Sequence, residues 1–337
     1  MRQGSKSKKR SGFPNPVGDP VRVVHPDRVP FLFYLCRMKE THKAHLALLT
    51  TTLIFGFAYN IVKSLMPVML SPMQLIFIRL LGGVIIFWLF QRLFVHEKVE
   101  RKDLIMLAVC GMFGFALNQT LFYEGLNLST PVDASLIHVL NPILVLVFAS
   151  LLIGEKITWK KATGIAMGAS GVMILVLYGR QVSFSGNHAL GNILIFLNMV
   201  FYALYLVLIK PLIGKYHTTT ILKWVSFFGF IFVLPLAIKP ALAIDFAAIT
   251  ATAWVGIAYI IFLNTFIAYL LINFALKSLT ATVVSYYSYL QPFLAAAMSV
   301  AIGQGGISAP KIMAALLIFS GVYVVNRKEK VKRNIEY

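Results

Sequence analysis

From about residue 45 onward the chain alternates between long apolar runs and short polar connections. Ten runs stand out, at about 45–63, 72–94, 103–122, 131–152, 161–178, 189–209, 220–238, 250–272, 281–302 and 311–325. Each is near the roughly 20 residues with which a helix crosses a bilayer core. Helix is the expected structure, because a spanning segment must satisfy its own backbone N–H and C=O groups. The connections are short, so sequence neighbours are expected to run antiparallel with no soluble domain inserted between them.

The pattern also repeats. Leu140, Pro142, Leu144, Ile157, Lys161, Ser170, Gly171 and Val172 return 150 positions later as Leu290, Pro292, Leu294, Ile307, Lys311, Ser320, Gly321 and Val322. Between Tyr123 and Val176, about eleven of roughly 54 aligned positions are identical without a gap, well above chance. A weaker echo links Gly56–Lys63 to Phe201–Leu208 at a slightly different offset. Five runs per copy is an odd number, so the two copies must enter the membrane from opposite sides. The predicted fold is an all-α integral membrane protein of ten transmembrane helices, built as two inverted five-helix repeats over 43–180 and 187–326. Inverted repeats place a working site near the midplane, where the halves meet.

Charge orients this arrangement. With the N-terminus inside, the inner segments hold about 25 Lys and Arg and the outer loops about 4; without residues 1–37 the count is still about 17 against 4. Both termini are therefore expected on the cytoplasmic side of the cell membrane. Composition agrees, with 58% hydrophobic against 13% charged residues and a mean hydropathy of +0.79. A soluble domain carries about 25% charged residues. The net charge of +19 suggests nucleic acid, but the basic residues sit in tails and loops rather than in a groove. Cys36 and Cys110 have no metal or disulfide spacing, and no phosphate-binding loop is present, so no cofactor is expected.

Residues 1–42 read as a disordered basic cytoplasmic tail, with five prolines between Pro14 and Pro30, and 327–337 as a second basic tail. Met38-Lys39-Glu40 resembles a natural start, so Met38 is expected to be the initiating residue. The expectation fails if peptides from 1–37 are abundant in the mature protein by mass spectrometry.

Gly56-Phe57-Ala58-Tyr59-Asn60 followed by Lys63, then Ser71-Pro72 with Arg79, resembles the opening of EamA-type transporters. Gly111-Met112-Phe113-Gly114 with Asn118-Gln119, the stretch Leu136–Pro142, Gly154-Glu155 and Gly171-Val172 are similar to that family's third to fifth helices. The resemblance covers about residues 43–326. It implies membership of the drug/metabolite transporter superfamily, ten-helix proteins that largely export amino acids and other small metabolites. One departure is Gly303-Gln304-Gly305, where the family often keeps Gly-Glu.

Polar side chains inside apolar runs are costly and usually face the bundle or a cavity. His138 and Asn141 share a helix face just ahead of Pro142, and their repeat-mates Ser288 and Gln291 precede Pro292. Asn118-Gln119 pairs by repeat with Ala268-Tyr269, and Phe57 and Asn60 with Tyr202 and Tyr205. The expected substrate-binding set is Asn60, Asn118, Gln119, His138, Asn141, Tyr202, Tyr205, Tyr269, Tyr287, Ser288 and Gln291. Rings with polar tips suit an amphipathic organic solute. Interhelical hydrogen bonding or plain packing is the competing reading for each, above all for Tyr202, Tyr286 and Tyr289. Arg79 is expected to pair with a carbonyl or with Glu124, and Lys223 to snorkel.

The function expected is secondary transport, as an exporter of small organic metabolites such as amino acids, by alternating access at a midplane cavity. An integral-membrane enzyme or a channel with a polar cavity is the alternative. His138 is the one deep side chain with an ordinary pKa near neutrality, about 6.5, so proton coupling through it is one expectation. Exchange without a coupling ion, or coupling through Glu124 or Asp133, is the other.

Overall fold

The computed structural model describes residues 39–130, 133–134, 137–177, 187–291, 294 and 309–326. Residues 1–38 and 327–337 of the basic tails and the Gly303–Gly305 turn lie outside the described residues, while Glu40–His42, expected to close the first tail, are helical. All regular structure among those described is helical. The helices are α1 (Glu40–Leu65), α2 (Pro72–Phe94), α3 (Arg101–Leu128), α4 (His138–Ile153) and α5 (Trp159–Leu177). They continue as α6 (Asn187–Leu208, extended by the turn Lys210–Ile213), α7 (Thr218–Leu242), α8 (Ala251–Ser278), α9 (Ala281–Tyr286) and α10 (Ala309–Asn326).

Six are long and apolar enough to cross a membrane: α1, α2, α3, α6 with its extension, α7 and α8. The rest are shorter apolar helices or lie partly outside the described residues. The outward surface is apolar, with Ile85, Leu89, Leu93, Leu151, Leu236 and Val255 all more than half exposed. In water such a surface would aggregate; in lipid it is the solvated face. This is a multi-pass membrane protein.

Local sequence explains the helix limits. At α2 the Ser71 hydroxyl accepts from the Gln74 N–H at 3.4 Å while the Gln74 side chain accepts from the Ser71 N–H at 2.8 Å, with Pro72 in the first turn. That reciprocal capping satisfies two of the orphan donors of a helix start. Helix α4 stops at Gly154, whose φ of +65° is a left-handed geometry that glycine adopts without strain.

Packing is set by small residues. Helix α5 lies antiparallel to α10 along a seam where a methyl on Gly164 would stand 2.9 Å from the Gly321 carbonyl oxygen, and one on Gly171 2.8 Å from that of Ala314. Such closeness lets backbones touch in lipid, where no hydrophobic drive separates helix from tail. At the α3–α7 crossing a methyl on Gly111 would meet the Val225 carbonyl oxygen at 2.7 Å and Gly229 N at 2.9 Å. At α2–α8 a methyl on Gly82 would meet the Ile261 side chain at 2.8 Å.

Two lysines clasp helix ends. Lys63, near the end of α1, donates to the carbonyls of Leu126, Asn127 and Ser129 at 2.8–3.1 Å, closing the C-terminus of α3. Lys210, at the end of α6, does the same for α8 through Leu276 and Leu279. An ammonium there answers the unpaired carbonyls and the negative end of the helix dipole.

Two of the spanning helices leave α geometry. Met112–Leu117 in α3 and Tyr259–Ile267 in α8 are π-helical, while His138–Leu140 and Tyr287–Tyr289 are 3₁₀. Three of these stretches supply side chains to the central cavity, and the fourth, Met112–Leu117, ends directly before the lining residue Asn118.

Candidate functional site

A cavity of about 840 Å³, open volume at its mouth included, lies among α1, α2, α3, α4, α6, α8 and the Ala281–Gln291 segment. Helix α1 supplies Leu48, Thr51, Thr52, Phe55, Tyr59 and Val62, the three-to-four spacing of one helix face.

One wall is a hydrogen-bonded corner. The His138 ring nitrogen Nδ1 lies 2.6 Å from the Ala134 carbonyl oxygen and 2.8 Å from the Tyr59 hydroxyl. A carbonyl can only accept, so the geometry assigns the proton to Nδ1, which donates to it. The Tyr59 hydroxyl then donates to Gln291 Oε1 at 3.4 Å. Phe122 closes the corner, its ring centroid 5.5 Å from Tyr59 and 6.0 Å from His138.

The opposite wall carries amides. Asn118 and Asn198 pair reciprocally, each side-chain amide donating to the other's backbone carbonyl, at 3.2 and 2.7 Å. Gln119 donates to Asn118 Oδ1 at 2.7 Å and to the Tyr269 hydroxyl at 2.8 Å. Asn118 and Gln119 are adjacent in sequence, yet both reach the cavity directly after the π-helical stretch. A π turn inserts one extra residue and rotates the helix beyond it, which is one reason such turns gather at working sites. The Oδ1 atoms of Asn141 and Asn198 are buried with no hydrogen-bond partner. A buried unpaired acceptor costs about 1–3 kcal/mol and calls for an explanation.

Arg79 also lines the cavity, only 4% exposed. Its Nε donates to Thr265 Oγ1 at 2.8 Å and one terminal nitrogen to the Tyr123 hydroxyl at 2.9 Å, with the guanidinium 5.7 Å from the centre of the Tyr123 ring. The expected pairing with Glu124 is replaced by these neutral oxygens. One residue on a helix is a rotation of about 100°, and it is Tyr123 that faces α2.

Of the eleven expected residues, nine border this space: Asn118, Gln119, His138, Asn141, Tyr202, Tyr269, Tyr287, Ser288 and Gln291. Asn60 is exposed on the far side of α1. Tyr205 is wholly buried behind the wall, stacked on Tyr202 at 6.2 Å and accepting from Asn273 at 3.3 Å. The pairing of Asn60 with Tyr205 also used the wrong offset. The lysine clasps put α1 and α6 in correspondence 147 positions apart (63 and 210), so Tyr202 answers to the cavity-lining Phe55 rather than to Phe57. A two-residue error turns a helix by about 200°. Tyr286 packs in the α5–α10 seam, donating to the Gly164 carbonyl at 2.8 Å. Lys223 lies over the Trp88 ring at 4.1 Å and donates to Gln91 at 3.2 Å. Tyr59, Arg79, Asn198, Asn264 and Ser285 border the cavity without having been expected there; Asn198 and Asn264 carried the same signal, an amide deep in an apolar run.

The EamA-like transporter family matches the chain twice, over residues 42–177 and 189–327. Among curated relatives, the uncharacterized transporter YyaM of Bacillus subtilis is 27% identical over 223 residues, covering 65% of this chain and 70% of that protein. A probable terminal-alkyne amino-acid exporter of Streptantibioticus cattleyicolor is 24% identical over 239 residues, 70% of this chain and 78% of its own. A solved crystal structure at 20% identity superposes with a TM-score of 0.68, covering 84% of this chain and 96% of the other.

Proposed function

The chain belongs to the EamA-like transporter family, and from that premise we propose that it is a secondary transporter working by alternating access, exporting amino acids or related amphipathic metabolites. The observation that carries this reading is the cavity itself, which takes side chains from both matched segments and leaves two buried acceptors unpaired. A small solute with an apolar body and a polar end suits such a lining. The relative named as an amino-acid exporter favours the same substrate class.

The proposal includes ten spans in two inverted repeats, 43–180 and 187–326, with basic tails at 1–42 and 327–337 and both termini cytoplasmic. Its support is that contacts occur in duplicate. Gly164 against Gly321 and Gly171 against Ala314 are one contact read twice at an offset of 150. Gly111 against Gly229 is matched by Ile261 against Gly82, and the Lys63 clasp by the Lys210 clasp. The π-helical stretches correspond at the same spacing. In this arrangement the two clasps lie at opposite membrane faces and each stiffens one repeat, so that the halves rock as bodies around the cavity.

Purified protein in vesicles preloaded with unlabelled amino acid should take up the labelled form by saturable counterflow. Conversion of the solute without a gradient would point to an enzyme, and linear, non-saturating flux to a channel. Proton coupling is read from His138→Gln: if His138 carries the proton, the variant keeps exchange and loses pH-driven accumulation. Unchanged accumulation leaves His138 as a hydrogen-bonding wall residue and moves coupling to another group.

A further inference from the structure

We infer that Arg79 is the anchor for a solute carboxylate, which narrows the proposed substrate class to organic monoanions and zwitterions. The inference rests on the transport reading and adds a specificity determinant to it.

The argument begins with an unbalanced charge. Arg79 is 4% exposed and borders the cavity. Both of its hydrogen-bond partners are neutral hydroxyls, Thr265 and Tyr123. Thr265 has already committed its own proton to the Ile260 carbonyl at 2.8 Å, so it is held as an acceptor. Among the described residues no ion pair includes Arg79, and no Asp or Glu borders the cavity. Burying a cation without a counter-charge costs several kcal/mol, and in a membrane helix such a group marks a functional pathway. The guanidinium has five N–H donors in a fixed fork, and the two hydroxyls use two of them. The donors left over match the two oxygens of a carboxylate.

Charge count selects the kind of anion. Among the described residues, Arg79 is the one Arg or Lys that borders the cavity. It neutralises a carboxylate, whereas a doubly charged phosphate would leave a net negative charge buried. The unpaired oxygens of Asn141 and Asn198 accept but cannot donate. They suit the ammonium, amide or hydroxyl end of the same molecule and would repel a second anionic group.

A purely structural reading makes Arg79 a strut joining α2 to α3 and α8. The two readings separate on chemical preference rather than on stability. Wild-type protein in lipid nanodiscs is melted in the presence of each proteinogenic L-amino acid, its α-amide and its des-amino acid; leucine, leucinamide and 4-methylpentanoate form one such set. Aliphatic amines and neutral sugars complete the panel. The expected result is stabilisation by acids at concentrations at least about tenfold below those needed for the matching amides. In Arg79→Gln that preference falls to within about twofold, and Arg79→Lys keeps part of it because it retains the charge without the fork. Amides that stabilise as well as their acids, or a preference that survives in Arg79→Gln, overturn the inference. If Arg79→Gln does not fold, the wild-type acid and amide comparison decides alone. Amines or sugars that stabilise and show counterflow while acids do neither would sink the anchor but leave the transport reading intact. Absence of counterflow for every class would sink both.

Discussion

The α5–α10 seam and the central cavity, which draws on other helices, treat polar groups differently. Along the seam, glycines bring backbones within contact; the Tyr286 hydroxyl is bonded to the Gly164 carbonyl, while the hydroxyl of Tyr289, whose ring lies against Gly168, is buried without a partner among the described residues. Around the cavity, amides, a histidine and an arginine point inward, and some of their atoms have no partner in the protein. The seam closes on itself by backbone contact, whereas the cavity leaves open space beside its polar groups. Unpaired atoms also occur away from the cavity, at Thr220, Asn273, Thr282 and Tyr289, so what sets Asn141 and Asn198 apart is that these residues border open space that a solute can enter.

The largest effect should come from breaking the seam. A methyl on Gly321 would stand 2.7 Å from the Gly164 carbonyl oxygen and 3.1 Å from Gly168 N, both backbone atoms that cannot step aside. Gly321→Leu is expected to cost at least about 3 kcal/mol, seen as loss of the monodisperse peak in detergent. A variant that melts within about 2 °C of wild type would show that the seam is not close-packed.

Next come the clasps. Lys63→Met strips three carbonyls of their donor, and Lys210→Met strips two. Each should cost about 1–2 kcal/mol, the scale of hydrogen bonds to a charged group that is partly exposed. Thermal melts would report it, and similar losses in the two variants would sharpen the case that they are equivalent elements. A loss at one site with none at the other would weaken it.

How much of this was legible depends on where each feature is encoded. Apolar runs and their repeat are written in composition and period, so the helices were readable, and with them the places of His138, Asn141, Ser288 and Gln291 at the cavity wall. The phase of α1 against α6 was not, because identity there is too thin to fix the offset. The expected pairing of Asn60 with Tyr205 rested on that offset. Arg79 was missed as a wall residue for a related reason, since Tyr123 rather than Glu124 meets α2 and Thr265 reaches it from a π-helical stretch that no periodicity announces.

The smallest stability effect is expected in the cavity wall, and it separates the two regions most sharply. Asn141→Leu removes a buried acceptor that has no partner, so the melting temperature should change by no more than about 1 kcal/mol's worth, or rise. Exchange in vesicles should nonetheless fall at least about tenfold. A variant that loses stability and keeps exchange would place Asn141 among the structural residues, with those of the seam.

The central claim, that one cavity serves both sides of the membrane, is tested most directly by Ser288→Cys in a chain carrying Cys36→Ser and Cys110→Ala. Ser288 borders the cavity, and the substitution exchanges only oxygen for sulfur. An impermeant thiol reagent is applied to right-side-out and to inside-out vesicles, with and without the amino acid that drives counterflow. Alternating access predicts labelling from both sides, slowed on each by the solute. Labelling from one side only, or at a rate the solute leaves unchanged, would contradict it.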